Sequence, residues 1–204
     1  MSEPNQDYWR AQARRYDRAT LALNRRFPQM ARAVAEAARG EERALEIAAG
    51  SGLVTRELAP AVGQLVATDA SPAMLELLQG RMADSANVEI READALALSF
   101  DDGTFDVVVI GNLLHLLPEP TAALAEARRV LKSGGLLLAP TFCHGQGALA
   151  QVVSRLLGLT GFPIVTRFRD RELDGLIEGA GFQSLDARWF QGLLPIRFVA
   201  ARAR

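Results

Sequence analysis

Cysteine is nearly absent from this sequence, which has one thiol, Cys143, in 204 residues. A single cysteine cannot form an intrachain disulfide, and it excludes a metal site built from several thiolates of one chain. Long apolar runs are also missing, and the first 20 residues are polar and rich in arginine, unlike the apolar centre of a secretory signal. We therefore expect a soluble protein of the reducing cytoplasm without a membrane span.

Neither sign of charge is in excess. The chain has 23 lysine and arginine residues against 24 aspartate and glutamate residues, for a formal net charge of -1. Proteins that bind the phosphate backbone of nucleic acid carry a basic surplus, so nucleic acid is not an expected partner. Hydrophobic residues make up 49% of the chain, which is enough for the core of a single domain.

Short β-type runs alternate with helical segments from Arg43 onward. The helical segments begin near Leu53, Pro72 and Pro120. This alternation is typical of βαβ units with a parallel sheet, so we predict an α/β fold. The predicted strands are RALEIA, QLVATD, NVEIRE, FDVVVIG and GGLLLAPTF.

The two ends of the chain have different patterns. Residues from about Asp7 to Arg39 predict two helices interrupted near Phe27 and Pro28, which we interpret as a cap. After Gly145 the pattern predicts two more helices and a final hairpin that turns at Gln191 and Gly192. We therefore predict a single domain with a cap over 1–40, a core over 41–142 and a third part over 143–204.

A loop of small residues joins the first predicted strand to the first helix, in the stretch ALEIAAGSGLVTREL. Gly50 and Gly52 allow a ligand to approach the backbone amides and the start of the helix. Glycine also occurs in strand-to-helix turns for structural reasons alone, so this loop does not by itself identify a site.

Acidic residues follow the next two predicted strands. Asp69 ends QLVATD, where a carboxylate would accept hydrogen bonds from ribose hydroxyls. Asp94, in READALALSF, would accept from the exocyclic amine of adenine, although a loop or capping aspartate explains it equally well. Three successive strand ends with such residues form a coherent nucleoside site.

The only two histidines follow the fourth and fifth predicted strands. We expect Asn112 and His115 to face the pocket, and His144 to lie near it. Histidine is the natural general base near neutral pH, so a base at either position would give activity a rise near pH 6–7. Two alternatives stay open: His115 as a core residue among leucines, and His144 as a surface residue.

These motifs together resemble those of class I S-adenosylmethionine-dependent methyltransferases. The resemblance is in Glu46 to Gly52, Asp69, Asp94-Ala95 and the stretches FDVVVIGNLLHLLPEP and VLKSGGLLLAPTF. It implies a Rossmann-like three-layer sandwich, with a mostly parallel seven-stranded sheet, an antiparallel last strand and an N-terminal helical cap.

The resemblance also implies a set of cofactor-binding residues. In the family the glycine loop supports the methionyl part of the cofactor, the first-strand acid holds its amino group through water, and a tyrosine of an N-terminal helix closes over it. Ala48 replaces the first glycine of the loop, and we expect its methyl group to weaken binding without abolishing it. The implied set is Tyr16, Glu46, Ala48, Gly50, Gly52, Asp69, Ala70, Asp94, Ala95 and Asn112.

The implied activity is methyl transfer from S-adenosylmethionine to an oxygen, nitrogen or sulfur atom of a small molecule, with His115 and His144 as candidate bases. The stretch VVSRLLGLTGFPIVTRFRDREL either walls the acceptor pocket or forms a solvated face, and the pattern leaves both interpretations open. No pair of acids indicates a metal site. The chain lacks the full G-x-G-x-x-G pattern of an NAD(P)-dependent oxidoreductase. That class, a catalytically silent cofactor-binding protein and a homodimer all stay open.

Overall fold

A computed structural model describes residues 15–159, 162, 164–169 and 171–204. Its strands form one mixed sheet in which all but β8 run in the same direction. The strands are Arg43–Ile47 (β1), Gln64–Asp69 (β2), Val88–Glu92 (β3), Phe105–Ile110 (β4), Leu131–Leu138 (β5), Thr141–Phe142 (β6), Phe182–Phe190 (β7) and Ile196–Ala203 (β8).

The strand order is β3-β2-β1-β4-β5-β8, and β7 pairs with the outer side of β8. The last strand, β8, is antiparallel to both of its long neighbours. This confirms the mostly parallel sheet and the antiparallel last strand. The topology changes direction between β1 and β4, which is where open α/β sheets bind ligands at the carboxyl ends of their strands.

One predicted strand is interrupted. The run GGLLLAPTF was expected to be continuous, but Pro140 separates β5 from the two-residue β6. Proline has no backbone N–H to donate to a ladder. Both pieces pair with β8, so together they occupy one position of a seven-position sheet.

Helices cover both faces of the sheet and make three layers. Two successive residues of β1, Ala44 and Leu45, belong to different hydrophobic clusters because successive side chains of a strand point to opposite faces. One cluster packs under α2, α4 and α6, and the other under α5 and α7. The helices are residues 15–23 (α1), Phe27–Ala37 (α2), Thr55–Leu58 (α3), Pro72–Arg81 (α4), Pro120–Val130 (α5), Gly147–Leu159 (α6) and Glu172–Gly179 (α7).

The predicted N-terminal helices are present in the described part of the cap, with Pro28 in the first turn of α2. Buried Asn24, between α1 and α2, donates from its amide to the carbonyls of Phe190 and Leu194, at 2.9 and 3.0 Å. The cap is therefore tied to the loop of the β7–β8 hairpin. Residues 1–14 lie outside the described part. Among the described helices, none combines the length and the hydropathy needed to cross a bilayer.

Candidate active site

A cleft opens at the carboxyl edge of the sheet, beside the ends of β1, β2 and β4. Eight of the ten residues that the sequence nominates for the cofactor line it, whereas Glu46 and Gly52 do not. The roles of the eight in binding stay predictions. They are Tyr16, Ala48, Gly50, Asp69, Ala70, Asp94, Ala95 and Asn112.

Asp69 is held in place by backbone amides on both sides. Its Oδ2 accepts from the Gly50 N–H and its Oδ1 from the Ser71 N–H, each at 2.8 Å. Burial raises the pKa of this carboxyl, and the amides of Ser71 and Gly50 offset part of the rise. The carboxylate is thus fixed at the cleft wall, and each of its oxygens has lone pairs left for further donors.

Glu46 is the fourth of the five residues of β1, does not line the cleft and is 1% exposed. Burial raises the pKa of its carboxyl to about 8, the nearby Thr55 hydroxyl offsets part of this rise, and the negative charge of Asp69 adds to it. Within the described residues, Glu46 Oε2 has no hydrogen-bond partner. A buried acceptor atom of this kind needs a donor from a ligand or from water.

The loop after β1 adopts left-handed backbone conformations at three positions. Ala48 has a φ of 58°, Gly50 of 57° and Gly52 of 89°. Glycine reaches this region without strain, but alanine pays of order 1–2 kcal/mol there. Gly52 does not line the cleft and packs closely against α4. A Cβ at this position would lie only 2.7 Å from Leu78 Cδ1, so there is no room for a side chain.

Asp94 lies at the exposed rim of the cleft, and Ala95 is buried beside it. The Asp94 Oδ1 accepts from the Leu96 N–H at 3.0 Å, and this bond lowers the pKa of the carboxyl. This contact fits the loop or capping role that the sequence left open for Asp94. It does not test the expected contact of Asp94 with adenine.

A second cavity, of about 290 Å³, adjoins the cleft. His115, in the 3₁₀ helix Leu114–Leu116, and His144, after β6, both line it and are both buried. Their ring centroids are 4.9 Å apart, and the rings of Phe142 and Phe162 lie within 6.5 Å of both. His144 is therefore not the surface residue that the sequence allowed.

The two imidazoles are held neutral. The pKa of His144 is lowered to about 4, mainly by burial and to a smaller extent by the positive charge of Arg167. Burial also lowers the pKa of His115 well below its ordinary value, with a contribution from His144. Both rings are therefore neutral at pH 6–7, which does not favour the expected rise of activity there, and that rise stays a prediction. Among the described residues, His115 Nδ1 and both ring nitrogens of His144 have no hydrogen-bond partner.

Three residues line both the cleft and the cavity: Tyr16, Asn112 and Leu116. Asn112 has a φ of 52°, its N–H donates to the Pro140 carbonyl, and its Oδ1 accepts from the Phe142 N–H. These bonds fix Asn112 between the end of β4 and the start of β6. A ligand in the cleft and a ligand in the cavity would meet at this shared wall.

Sequence reasoning missed a polar contact that holds α1 over the cleft. Asp17 of α1 accepts from the Ser51 hydroxyl of the glycine loop and forms an ion pair with Arg81 of α4. We call Asp17, Ser51 and Arg81 the cap clamp. Asp17 lies in an arginine-rich run, and Arg81 is 64 positions away, so no local pattern indicates the pair.

Comparison with known proteins agrees with this arrangement. A family model described as a methyltransferase domain matches residues 45–139. A demethylmenaquinone methyltransferase of Staphylococcus carnosus is 30% identical over 172 residues, which cover 74% of this chain and 71% of the relative. A SAM-dependent methyltransferase structure from Aquifex aeolicus has the same fold, with a TM-score of 0.72 and 19% identity over 96% of this chain and 98% of that one.

A second relative is described as a methyltransferase that acts on carbon. The ubiquinone/menaquinone biosynthesis C-methyltransferase of Teredinibacter turnerae is 33% identical over 139 residues, or 65% of this chain. This chain spans 56% of that relative, which is little more than half of its length. The chain belongs to the S-adenosylmethionine-dependent methyltransferases of Rossmann-like fold, and S-adenosylmethionine is the cofactor of that family.

Proposed function

We propose that this protein transfers a methyl group from S-adenosylmethionine to a ring carbon of a small aromatic acceptor of the hydroquinone class. The observation that carries the proposal is the aromatic-lined cavity that shares a wall with the cofactor cleft. The sequence alone suggested an oxygen, nitrogen or sulfur acceptor. The carbon acceptor is suggested by the similarity to the C-methyltransferase of Teredinibacter turnerae.

The residues of the cleft fit the proposed cofactor. Glu46 Oε2 is buried without a partner and would receive the amino group, directly or through water. Asp69 would accept from the ribose hydroxyls, and the Asp94-Ala95 turn would meet the adenine. When bound, the cofactor supplies an electrophilic methyl group on a sulfonium sulfur.

The cavity fits a flat apolar ring. Phe142, Phe162, Leu157 and Leu194 contribute apolar surface, and the two imidazoles contribute polar atoms. An aromatic ring between such side chains would be held by offset or edge contacts. Tyr16 and Leu116 would limit its approach to the methyl group to one direction, and near-attack alignment of this kind can be worth about 7–11 kcal/mol.

The histidines would handle the proton of the acceptor. C-methylation would replace one ring hydrogen of the acceptor, so the acceptor must lose one proton. A neutral imidazole can take a hydroxyl proton of the ring and so raise the electron density at the attacking carbon. Because burial keeps both rings neutral, His115 and His144 would be ready to accept a proton near neutral pH.

The test is methyl transfer from labelled S-adenosylmethionine to four acceptors of similar size: a naphthohydroquinone, a catechol, a primary amine and a thiol. We expect label on a ring carbon of the naphthohydroquinone, located by mass spectrometry. His115→Gln and His144→Gln should lower its turnover about 10²–10⁴-fold while leaving cofactor affinity nearly unchanged.

Two outcomes would contradict the proposal. Label only on the amine or the thiol would move the acceptor to nitrogen or sulfur. Cofactor binding with no transfer to any of the four acceptors would favour a catalytically silent binding protein. The cytoplasmic location and the homodimer stay predictions.

A further inference from the structure

The helix α6 is apolar on both its inner and its outer side. Ala150, Val153 and Leu157 pack toward the core. Four other side chains point outward, and their spacing of three, four and three residues places them on one stripe of the helix. This outer stripe consists of Leu149, Val152, Leu156 and Leu159, which are 60%, 51%, 58% and 84% exposed.

Such a stripe requires an explanation, because the solvent-facing side of a surface helix is normally polar. Single exposed leucines are common on protein surfaces, but contiguous apolar patches mark interaction sites. The four side chains follow one another along the full length of α6 from Leu149 to Leu159. They therefore form a continuous apolar surface.

The charged residues of the segment that carries the outer stripe are all basic. Residues 143–169 contain three arginines and no aspartate or glutamate, in a chain whose net charge is -1. Arg155 is exposed on α6 itself, at the edge of the stripe. Arg167 is exposed, although its Nε donates to the buried Ser154 hydroxyl on the inner side of α6 at 3.0 Å. Exposed Arg169 follows it, and its backbone N–H donates to the Glu172 carboxylate at 2.8 Å.

We propose that the outer stripe of α6 docks on the surface of a lipid bilayer that contains anionic lipids. The leucines would enter the boundary between headgroups and acyl chains, and the arginines would meet the lipid phosphates. This combination of an apolar face and a basic flank is the pattern of helices that lie in the membrane interface.

Charge favours the bilayer over a second copy of the chain as the occupant. In a symmetric dimer the same patch of both subunits meets itself, so Arg155 would approach the Arg155 of the other copy, with no acid of this segment between them. An anionic surface neutralises these side chains instead.

Docking would also place the acceptor cavity at the bilayer. Leu157 lines that cavity from the inner side of α6, one turn or less from Leu156 of the outer stripe. An apolar acceptor could then pass from lipid to cavity without crossing much water. This consequence rests on the proposed function, whereas docking itself does not.

The test is flotation of the full chain with vesicles of phosphatidylcholine alone and of phosphatidylcholine mixed equally with phosphatidylglycerol. We expect the wild type to float with the mixed vesicles, and binding to fall as salt rises. The double variant Leu149→Gln, Leu156→Gln should bind at least tenfold more weakly. The matched control is Leu185→Gln, Leu193→Gln, two leucines of similar exposure near the β7–β8 hairpin, which should bind like the wild type.

A charge variant separates the arginine contribution. Arg155→Gln should weaken binding to the mixed vesicles about fivefold, as expected for one basic residue near an anionic surface, and should leave binding to phosphatidylcholine unchanged. Arg39→Gln, an exposed arginine of the cap, is the control. All of these side chains are on the surface, and melting curves should verify that the variants fold.

The proposal is overturned if the wild type does not float with mixed vesicles, or if the stripe variant and the leucine control bind equally. It is also overturned if sedimentation without lipid shows a dimer that the stripe variant converts to a monomer, since the face would then join two copies. Docking without methyl transfer to any acceptor would leave this proposal standing and contradict only the proposed function.

Discussion

The Asp69 carboxylate accepts amide hydrogen bonds from Gly50 and from Ser71, and so links the two loops that would surround a ribose. Replacing it with alanine would leave ribose hydroxyls unpaired in a partly closed cleft. We expect Asp69→Ala to weaken binding of S-adenosylmethionine by about 2 kcal/mol or more, and Asp69→Asn to be intermediate. Calorimetry on folded variants measures the difference.

The control for this experiment is Glu92→Ala, which removes an exposed acid at the end of the neighbouring strand β3. It should bind cofactor like the wild type. An unchanged dissociation constant for Asp69→Ala would remove Asp69 from the site.

Ala48 stores strain in its left-handed backbone. We expect Ala48→Gly to raise the free energy of unfolding by up to about 1 kcal/mol, since the relief of strain exceeds the added freedom of the unfolded chain. The neighbouring Ala49 does not have a positive φ, so Ala49→Gly should instead destabilise by a similar amount. Denaturant titration compares the two, and equal losses of stability would contradict the assignment.

His144 makes stability depend on acid. The pKa of His144 is about 4 in the folded protein and near 6.5 in the unfolded chain. Between these values the unfolded chain therefore binds a proton that the folded protein does not bind. The unfolding free energy is therefore not reduced by His144 above pH 6.5, and it falls as the pH drops toward 4. Between pH 7 and pH 5 this fall amounts to about 2 kcal/mol.

We therefore expect His144→Gln to lose about 2 kcal/mol less unfolding free energy than the wild type between pH 7 and pH 5. Denaturant titrations at the two values measure this. The chain has only two histidines. The same titrations on His115→Gln measure how much His115 contributes to the loss of unfolding free energy. Identical losses in His144→Gln and the wild type would mean that His144 is solvated in the folded state.

At the scale of elements, the cap clamp joins α1 to the glycine loop and to α4. The Asp17 and Arg81 side chains are each 28% exposed, so their ion pair is worth no more than about 1 kcal/mol. We expect Asp17→Asn to lower the protection of residues 15–23 against hydrogen exchange about two- to fivefold in the free protein. Cofactor should restore much of it, because Tyr16 lines the cleft.

The matched control is Asp186→Asn, which breaks the exposed Arg188–Asp186 pair on β7. It should leave exchange of residues 15–23 unchanged. Equal exchange in Asp17→Asn and the wild type would mean that packing of the helix, and not the clamp, holds α1 in place.

The elements were predictable from sequence wherever their pattern is local. The apolar runs of β1, β2 and β4 indicate buried parallel strands, and the glycine loop follows β1 as expected. The break at Pro140 was missed because the apolar pattern continues across it. The burial of His144 was also missed, since it depends on residues such as Phe162 that are distant in sequence.

At the scale of the whole molecule, we expect the cofactor to stabilise the folded protein, because it would bind in a cleft that only the folded chain forms. S-adenosylmethionine at 100 times its dissociation constant should add about 2.7 kcal/mol to the unfolding free energy. For a domain of this size we expect the melting temperature to rise by about 5–10 °C. S-adenosylhomocysteine should act similarly, and NAD should not. A larger shift with NAD would favour an oxidoreductase.

The position of β8 in the sheet also bears on how the chain is synthesised. Among the described strands, β7 pairs only with β8, and β8 fills the place between β5 and β7. The ribosome makes β7 before β8, so β7 has no sheet neighbour until residues 196–203 have left the exit tunnel. A nascent chain stopped before Ile196 would carry an unpaired strand edge, a form prone to aggregation, and would be a target for chaperones.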